Sequence, residues 1–221
     1  MEKVPYRQAI GSLMWAAGAT QADIAFAVSL LSQFLENPGK VHWNTVKWVL
    51  RYLKGTKDHK LILGSSWNGL VGYADADWAL QDHRHSISAY VFQIDSGSIS
   101  RSCQKQTIVT LSSTEAEFIA LTHAAKGALW LQHFITKVFQ PLDSPIQIYS
   151  DNQSAITIAY GNQMHTCTKH FNIRLYFLRD TIENKKVTLE YLPTKQMVAD
   201  ILIKGLSSPH TQVLSQKFGI Y

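Results

Sequence analysis

Apolar positions at helical spacing dominate the first quarter of the chain. Two sets of residues recur at the spacing of one helix face: Ile24, Ala27, Val28 and Leu31, then Val46, Val49, Leu50 and Leu53. Asn37-Pro38-Gly39 separates the two helices that these sets predict, and Gly55 ends the second helix. We therefore predict a helical segment over residues 1–60.

From about residue 61 the pattern changes to short apolar runs, which predict strands over residues 61–63, 70–74, 89–94, 98–101, 146–149 and 187–192. Longer periodic stretches predict helices over residues 113–138, 153–159, 168–183 and 195–203. Asp95-Ser96-Gly97 predicts a hairpin turn. Several strands in succession, followed by alternating helices and strands, indicate an α/β domain with a mixed sheet flanked by helices.

Composition narrows the class of protein only slightly. The 221 residues are 46% hydrophobic and 17% charged, which is typical of a chain with one sizeable core. A formal net charge of +5 permits an acidic partner such as nucleic acid without identifying one. Cys103 and Cys167 lie far apart, which favours a reducing compartment over a disulfide framework. Gln21 and Asp23 interrupt the apolar stretch 10–31, so we expect an amphipathic helix there, and no targeting or membrane segment.

Four carboxylates lie at the edges of apolar elements: Asp75, Glu117, Asp151 and Asp200. Asp151 follows a predicted strand and precedes a predicted helix, which is where ligands bind in open α/β sheets. Glu115 has capping-box spacing from Ser112, and Glu117, two residues further, faces inward instead. Each carboxylate alone has an ordinary explanation as a turn, cap or surface residue.

Carboxylates gathered without matching Lys or Arg residues repel one another, so they must protonate or bind cations. Mg²⁺ is the natural cation for a cluster of oxygen ligands. Two such ions, ~3.5–4 Å apart, activate a water and stabilise the leaving oxygen in phosphodiester cleavage. The spacing of the four residues is compatible with such a site but leaves their convergence as a hypothesis.

Five motifs in order extend this interpretation: YADADW (73–78), LSSTEAE (111–117), SDNQ (150–153), TKH (168–170) and ADIL (199–202). Together they closely resemble the ribonuclease H domain of copia-type retrotransposon Pol polyproteins. The upstream stretch, from YRQAIGSL (6–13) to VLRYLKGT (49–56), is similar to the helical end of the neighbouring reverse transcriptase. The resemblance thus implies a reverse transcriptase remnant over residues 1–60 and a ribonuclease H-like domain over residues 61–221.

The resemblance implies a ribonuclease H-like fold with a mixed five-stranded sheet, and hydrolysis of the RNA strand of RNA:DNA hybrids. It implies two Mg²⁺ ions, with Mn²⁺ as a substitute, and assigns the catalytic and metal-ligand roles to Asp75, Glu117, Asp151 and Asp200. The expected partners are the hybrid and the reverse transcriptase domain of the same polyprotein, with no membrane and no small-molecule cofactor. The family implies a cytoplasmic location, in virus-like particles.

The same resemblance suggests which residues touch nucleic acid. Ser113, Thr114 and Gln153 are expected at the minor groove of the hybrid, where 2′-hydroxyls distinguish RNA from DNA. Lys105, Lys169 and Arg174 are expected at phosphates, which position a duplex without reading its sequence.

The chain also departs from the family pattern. Ile203-Lys204-Gly205-Leu206 replaces the usual Thr-Lys-Pro-Leu, Arg101 replaces a usual Trp, and Ala89 replaces a usual Gly. Residues 191–194 offer no histidine of the kind that assists many ribonucleases H. These departures leave open a decayed, catalytically inactive module that only folds, or that binds nucleic acid or reverse transcriptase.

Three other functions fit the sequence less well. A polymerase would need adjacent aspartates after an aromatic residue, and the palm is missing. An integrase would use Asp75, Asp151 and a glutamate such as Glu190, but Glu190 lies in a predicted strand and Glu117 would have no role. A zinc site formed by His165, Cys167 and His170 would lack an identified fourth ligand.

Overall fold

The computed structural model of the protein describes residues 4–64, 69–78, 85–139, 141–142, 144–161 and 172–221. The N-terminal part is helical, as predicted, with helices α1 (Tyr6–Ala19), α2 (Ala25–Ser32) and α3 (Lys40–Gly55). A 3-10 turn, Ala22–Ile24, breaks the apolar stretch that the sequence suggested was one helix. Within this turn Asp23 accepts a hydrogen bond from the hydroxyl of Tyr52 in α3 (2.5 Å). This hydrogen bond links the turn to α3.

A mixed five-stranded sheet organises the rest of the chain. Its strands are β1 (Leu70–Asp77), β2 (Ile87–Ile94), β3 (Gly97–Lys105), β4 (Ile146–Ser150) and β5 (Val187–Tyr191). They lie in the order β3-β2-β1-β4-β5, with β1–β2 and β2–β3 antiparallel and β1–β4 and β4–β5 parallel. The predicted fold class, a ribonuclease H-like mixed sheet preceded by a helical part, is confirmed.

The prediction of a strand over residues 61–63 was wrong. Leu61 forms an isolated antiparallel bridge with Ile220 instead of joining the sheet. The amide of Ile62 donates to the carbonyl of Gly219 (2.8 Å), and Lys60 exchanges backbone hydrogen bonds with Tyr221 (2.7 and 3.0 Å). Residues 219–221, more than 150 residues away in sequence, therefore supply the hydrogen-bond partners of these backbone groups.

The helices of this part are α4 (Ser113–Val138), α5 (Gln153–Tyr160), α6 (Asn172–Glu183), α7 (Asp200–Ile203) and α8 (Ser208–Phe218). The prediction of one helix over residues 195–203 was wrong, because a 3-10 turn (Thr194–Gln196) and extended Met197 precede the short α7. Met197, like its neighbours up to Ile203, is buried, so this apolar run reflects burial and not one helix face. Helix α8 was missed, since among its mostly polar residues only Leu214 and Phe218 provide apolar i, i+4 spacing.

The sheet separates two apolar cores. Successive residues of β2 point to opposite faces, so Phe92 packs into one core with Leu121 of α4, while Val91 packs into the other with Leu202 and Phe218. The second core also contains Ala22 of the helical part, so the two predicted segments share buried surface. The division into domains at residue 60 stays a prediction.

Arg101 of β3 ties the helical part to the sheet. One guanidinium nitrogen donates to the carbonyls of Ala17 (2.8 Å) and Ala19 (3.0 Å) at the end of α1. The guanidinium also lies 5.5 Å from the ring centroid of Phe218 in α8, within cation–π range. Arg101 thus supplies a cation that caps the end of α1, in keeping with the negative end of a helix dipole.

Among the residues that the structure describes, no helix combines the length and the hydropathy that crossing a membrane requires.

Candidate metal and active site

Parallel pairing brings two aspartates to the same edge of the sheet. Strand β1 pairs with β4 in a register that aligns Tyr73 with Tyr149, so Asp75 of β1 is level with Asp151, which directly follows β4. Strand β1 does not end at Asp75 but continues to Asp77, which lies on the same face as Asp75. Asp75 is completely buried and Asp77 is nearly so.

Glu117 of the carboxylate cluster lies near the start of α4. The hydroxyl oxygen of Ser112 accepts a hydrogen bond from the amide of Glu115 (3.2 Å), and Oε2 of Glu115 accepts one from the amide of Leu111 (2.8 Å). Glu115 therefore stabilises the helix start, as its spacing predicted, and Glu117 turns inward. One carboxylate oxygen each from Asp75, Glu117 and Asp151 lie within 4.8 Å of one another.

Asp200, the first residue of α7, joins the same cluster through Asp75 and a lysine. Nζ of Lys204 lies 2.6 Å from Oδ1 of Asp200 and 2.8 Å from Oδ2 of Asp75. All four carboxylates that the sequence singled out thus meet in one place, although they come from four separate elements. Their catalytic and metal-binding roles stay predictions.

Burial and mutual repulsion raise the pKa values in the cluster. Burial raises the pKa of Asp75 to about 7, while a hydrogen bond shared with Asp200 acts against that rise. Burial, reinforced by the charge of Asp151, raises the pKa of Glu117 to about 8. The pKa of Asp200 rises to about 8 through burial and then through the hydrogen bond and charge of Asp75. Burial also raises the pKa of Asp77.

Lys204 responds in the opposite sense. Burial by itself would lower the pKa of its ammonium, but the paired charges of Asp75 and Asp200 raise it above the ordinary value. Lys204 therefore stays charged and neutralises part of the cluster.

The donor set fits a divalent cation. Asp75 Oδ1 and Glu117 Oε2 are buried, and no residue in the described part of the chain supplies either oxygen with a hydrogen-bond donor. Leaving buried carboxylate oxygens without a partner is unfavourable, and clustered oxygens are the ligands that Mg²⁺ and Mn²⁺ prefer.

Two residues of this site had no role there predicted from the sequence. Oγ1 of Thr194 donates to Oδ2 of Asp151 (2.7 Å) across 43 residues of sequence, and no local pattern signals this contact. Lys204 entered the sequence analysis only as a family motif residue. Its signal was available, because it lies four residues after Asp200, the spacing at which charged side chains of a helix meet.

The predicted groove-contact residues border the carboxylates. Ser113 and Thr114 begin α4, one turn before Glu117, and Gln153 begins α5 just after Asp151. Ser113 and Gln153 are exposed and Thr114 is partly exposed.

Two of the three predicted phosphate-contact residues line the same pocket. Lys105, at the end of β3, and Arg174, in α6, line one pocket of about 250 Å³. Lys126 and His123 of α4, which the sequence analysis did not select, line the same pocket. Lys169 lies outside the described residues, as does the zinc alternative of His165, Cys167 and His170. Glu190 lies on strand β5, as predicted, and not on a helix, and it is exposed.

Comparisons with known proteins extend over the whole chain. It is 39% identical over 222 residues to the retrovirus-related Pol polyprotein from transposon TNT 1-94 of Nicotiana tabacum. The aligned region covers 100% of this chain and 17% of that protein. It is 35% identical over 218 residues to the Pol polyprotein from transposon RE2 of Arabidopsis thaliana, covering 97% of this chain and 15% of that protein. The chain thus spans less than a fifth of the length of these curated relatives.

No protein-family model matches the chain. Among solved structures, LC11-RNase H1, isolated from compost, superposes with a TM-score of 0.48 at 17% identity, covering 62% of this chain and 93% of that chain.

Proposed function

Because the chain belongs to the copia-type, retrovirus-related Pol polyproteins of transposons, we propose that it hydrolyses the RNA strand of RNA:DNA hybrids with two divalent ions. Its fold and family are those of a ribonuclease H-type nuclease module. The observation that carries the proposal is the meeting of Asp75, Glu117 and Asp151, whose carboxylate oxygens lie within 4.8 Å of one another. These residues come from three separate parts of the chain, so they are close together only in the folded protein.

Within this proposal, Asp75, Glu117 and Asp151 would hold one Mg²⁺ or Mn²⁺ ion, and Asp75 and Asp200 would hold the other. Bound divalent ions supply the charge that makes a water nucleophilic and that stabilises the leaving oxygen in phosphodiester cleavage. The polypeptide contributes a buried set of carboxylate oxygens, whose pKa values are raised first by burial and then by neighbouring negative charges. Thr194 holds Asp151 in place through its hydrogen bond to Oδ2.

The proposed hybrid contacts follow from the positions of the helix starts. Ser113, Thr114 and Gln153 lie beside the carboxylates, so a minor groove at these residues would place a phosphodiester of one strand at Asp75. Lys105 and Arg174, which line one pocket, would hold phosphates of the duplex, and Lys169 is the third residue proposed for this role. The reverse transcriptase part of the same polyprotein is the proposed partner, with residues 1–60 as its helical end.

The test is cleavage of a labelled RNA:DNA hybrid in Mg²⁺ or Mn²⁺, beside single-stranded RNA and duplex DNA. We expect cleavage of the hybrid alone. Asp151→Asn should reduce the rate by ~100-fold or more, because losing a ligand to a catalytic metal removes several kcal/mol of transition-state stabilisation. The matched control is Asp180→Asn in α6, an exposed aspartate that accepts a hydrogen bond from Asn184. This control should retain full activity.

One observation favours a second candidate, a catalytically inactive module that only binds nucleic acid or reverse transcriptase. The ammonium of Lys204 already lies among the carboxylates that would hold metal. If the folded protein binds the hybrid but does not cleave it in either metal, the inactive module is the correct function and the nuclease proposal is wrong.

A further inference from the structure

Lys204 divides the carboxylate cluster into two unequal halves. One half, Asp75 with Asp200, has the ammonium 2.8 and 2.6 Å from its oxygens. The other half is Asp75 with Glu117 and Asp151, and among the described residues no lysine or arginine is paired with Glu117 or Asp151. A divalent ion therefore meets carboxylates without a paired cation at Glu117 and Asp151, and an existing cation between Asp75 and Asp200.

The ammonium and a divalent ion exclude each other at the Lys204 half. Mg²⁺ needs oxygens at ~2.0–2.1 Å and near-octahedral geometry. An ammonium within 2.8 Å of one oxygen of Asp75 and one of Asp200 occupies the space between them and presents a like charge to any approaching ion. Binding there requires the side chain to withdraw.

The position of Lys204 allows such a withdrawal. Its side chain is 28% exposed, whereas those of Asp75 and Asp200 are 0% and 4% exposed. Lys204 follows the last residue of α7, and its backbone amide donates to the carbonyl of Asp200 (2.9 Å), so the backbone stays anchored while the side chain moves. A lysine suits this role because its flexible four-carbon stem ends in a single point charge.

We propose that Lys204 is a built-in competitor for metal, which neutralises Asp75 and Asp200 in the metal-free protein and must be displaced by a divalent ion. The cluster therefore binds two ions with unequal affinity, and the weaker site is the one that Lys204 shares. This inference rests on the proposed metal site but not on the proposed cleavage.

The test is Mn²⁺ binding to the full chain, measured by calorimetry and by electron paramagnetic resonance of the bound ion. Wild-type protein should show one stronger and one weaker site. Lys204→Met keeps most of the stem and removes the charge, so it should strengthen the weaker site by ~10-fold or more, since a unit charge at contact distance is removed. The stronger site should change by much less. Lys204→Arg, which keeps a cation, should leave the weaker site weak.

The matched control is Lys217→Met in the last turn of α8, outside the cluster, and it should bind as wild type does. Circular dichroism verifies that each variant is folded. Unchanged affinities in Lys204→Met would overturn the inference, as would loss of both sites in a folded variant, which would make Lys204 a support of the cluster. Binding results of the expected kind without hybrid cleavage would uphold this inference while the nuclease proposal fails.

Discussion

Thr194 shows how one hydroxyl outside the carboxylate set can control it. Its Oγ1 donates to Oδ2 of Asp151 (2.7 Å), and this hydrogen bond fixes the orientation of the Asp151 carboxylate. Thr194→Val keeps the shape of the side chain and removes the donor. We expect metal affinity to fall by ~10-fold or more, the usual effect of losing a group that orients a ligand, as measured by Mn²⁺ titration. Thr211→Val in α8, whose hydroxyl donates to the backbone of Ser207, is the control. Equal metal affinity in both variants would contradict the orienting role.

Two adjacent serines at the start of α4 have different expected roles, one in stability and one in substrate contact. Ser112 caps the helix through its bond from the amide of Glu115, whereas exposed Ser113 is a proposed groove contact. Ser112→Ala should lower the free energy of unfolding by ~1 kcal/mol, the usual effect of losing a cap, as measured by urea denaturation. Ser113→Ala should leave stability unchanged and weaken hybrid binding. If Ser113→Ala affects stability and not binding, its proposed role is wrong.

Burial of the carboxylate cluster, together with repulsion between its members, makes the stability of the whole protein depend on pH. The folded-state pKa values of about 7 for Asp75 and about 8 for Glu117 and Asp200 lie well above their ordinary values. Between about pH 4 and 8 the folded state therefore binds more protons than the unfolded state, and stability falls as pH rises. In chelator, the protein should be more stable at pH 6 than at pH 8, by at most ~1.4 kcal/mol per pH unit for each proton.

Urea unfolding at both pH values measures this dependence. Glu117→Gln removes one of the titrating groups and should flatten the slope. Mg²⁺ should stabilise the protein more at pH 8 than at pH 6, because the carboxylates that bind it are then ionised. Stability that rises from pH 6 to pH 8 in chelator would show that the pKa values of these carboxyl groups are not raised in the folded protein.

Features that depend on near neighbours could be predicted from the sequence. The bounds of α4 agree with the prediction of residues 113–138, because a cap at Ser112 and a long periodic run are local signals. The hairpin at Asp95 also formed where its turn residues indicated, with Asp95 at a positive φ of 55°. The four carboxylates could be selected because each ends or begins an apolar element, and the family motifs supported the same residues.

Features that depend on distant contacts were decided by the tertiary structure. Residues 60–62 form backbone hydrogen bonds with residues 219–221, and the segment 195–203 does not form one continuous helix. Thr194 contacts Asp151 because β5 lies beside β4. Local sequence determined which side chains carry charge and where elements begin. The contact of Lys204 with Asp200 follows from their spacing in sequence, but its contact with Asp75 is set by the tertiary structure. The physical reason is that periodicity carries no information about which distant side chains share a buried space.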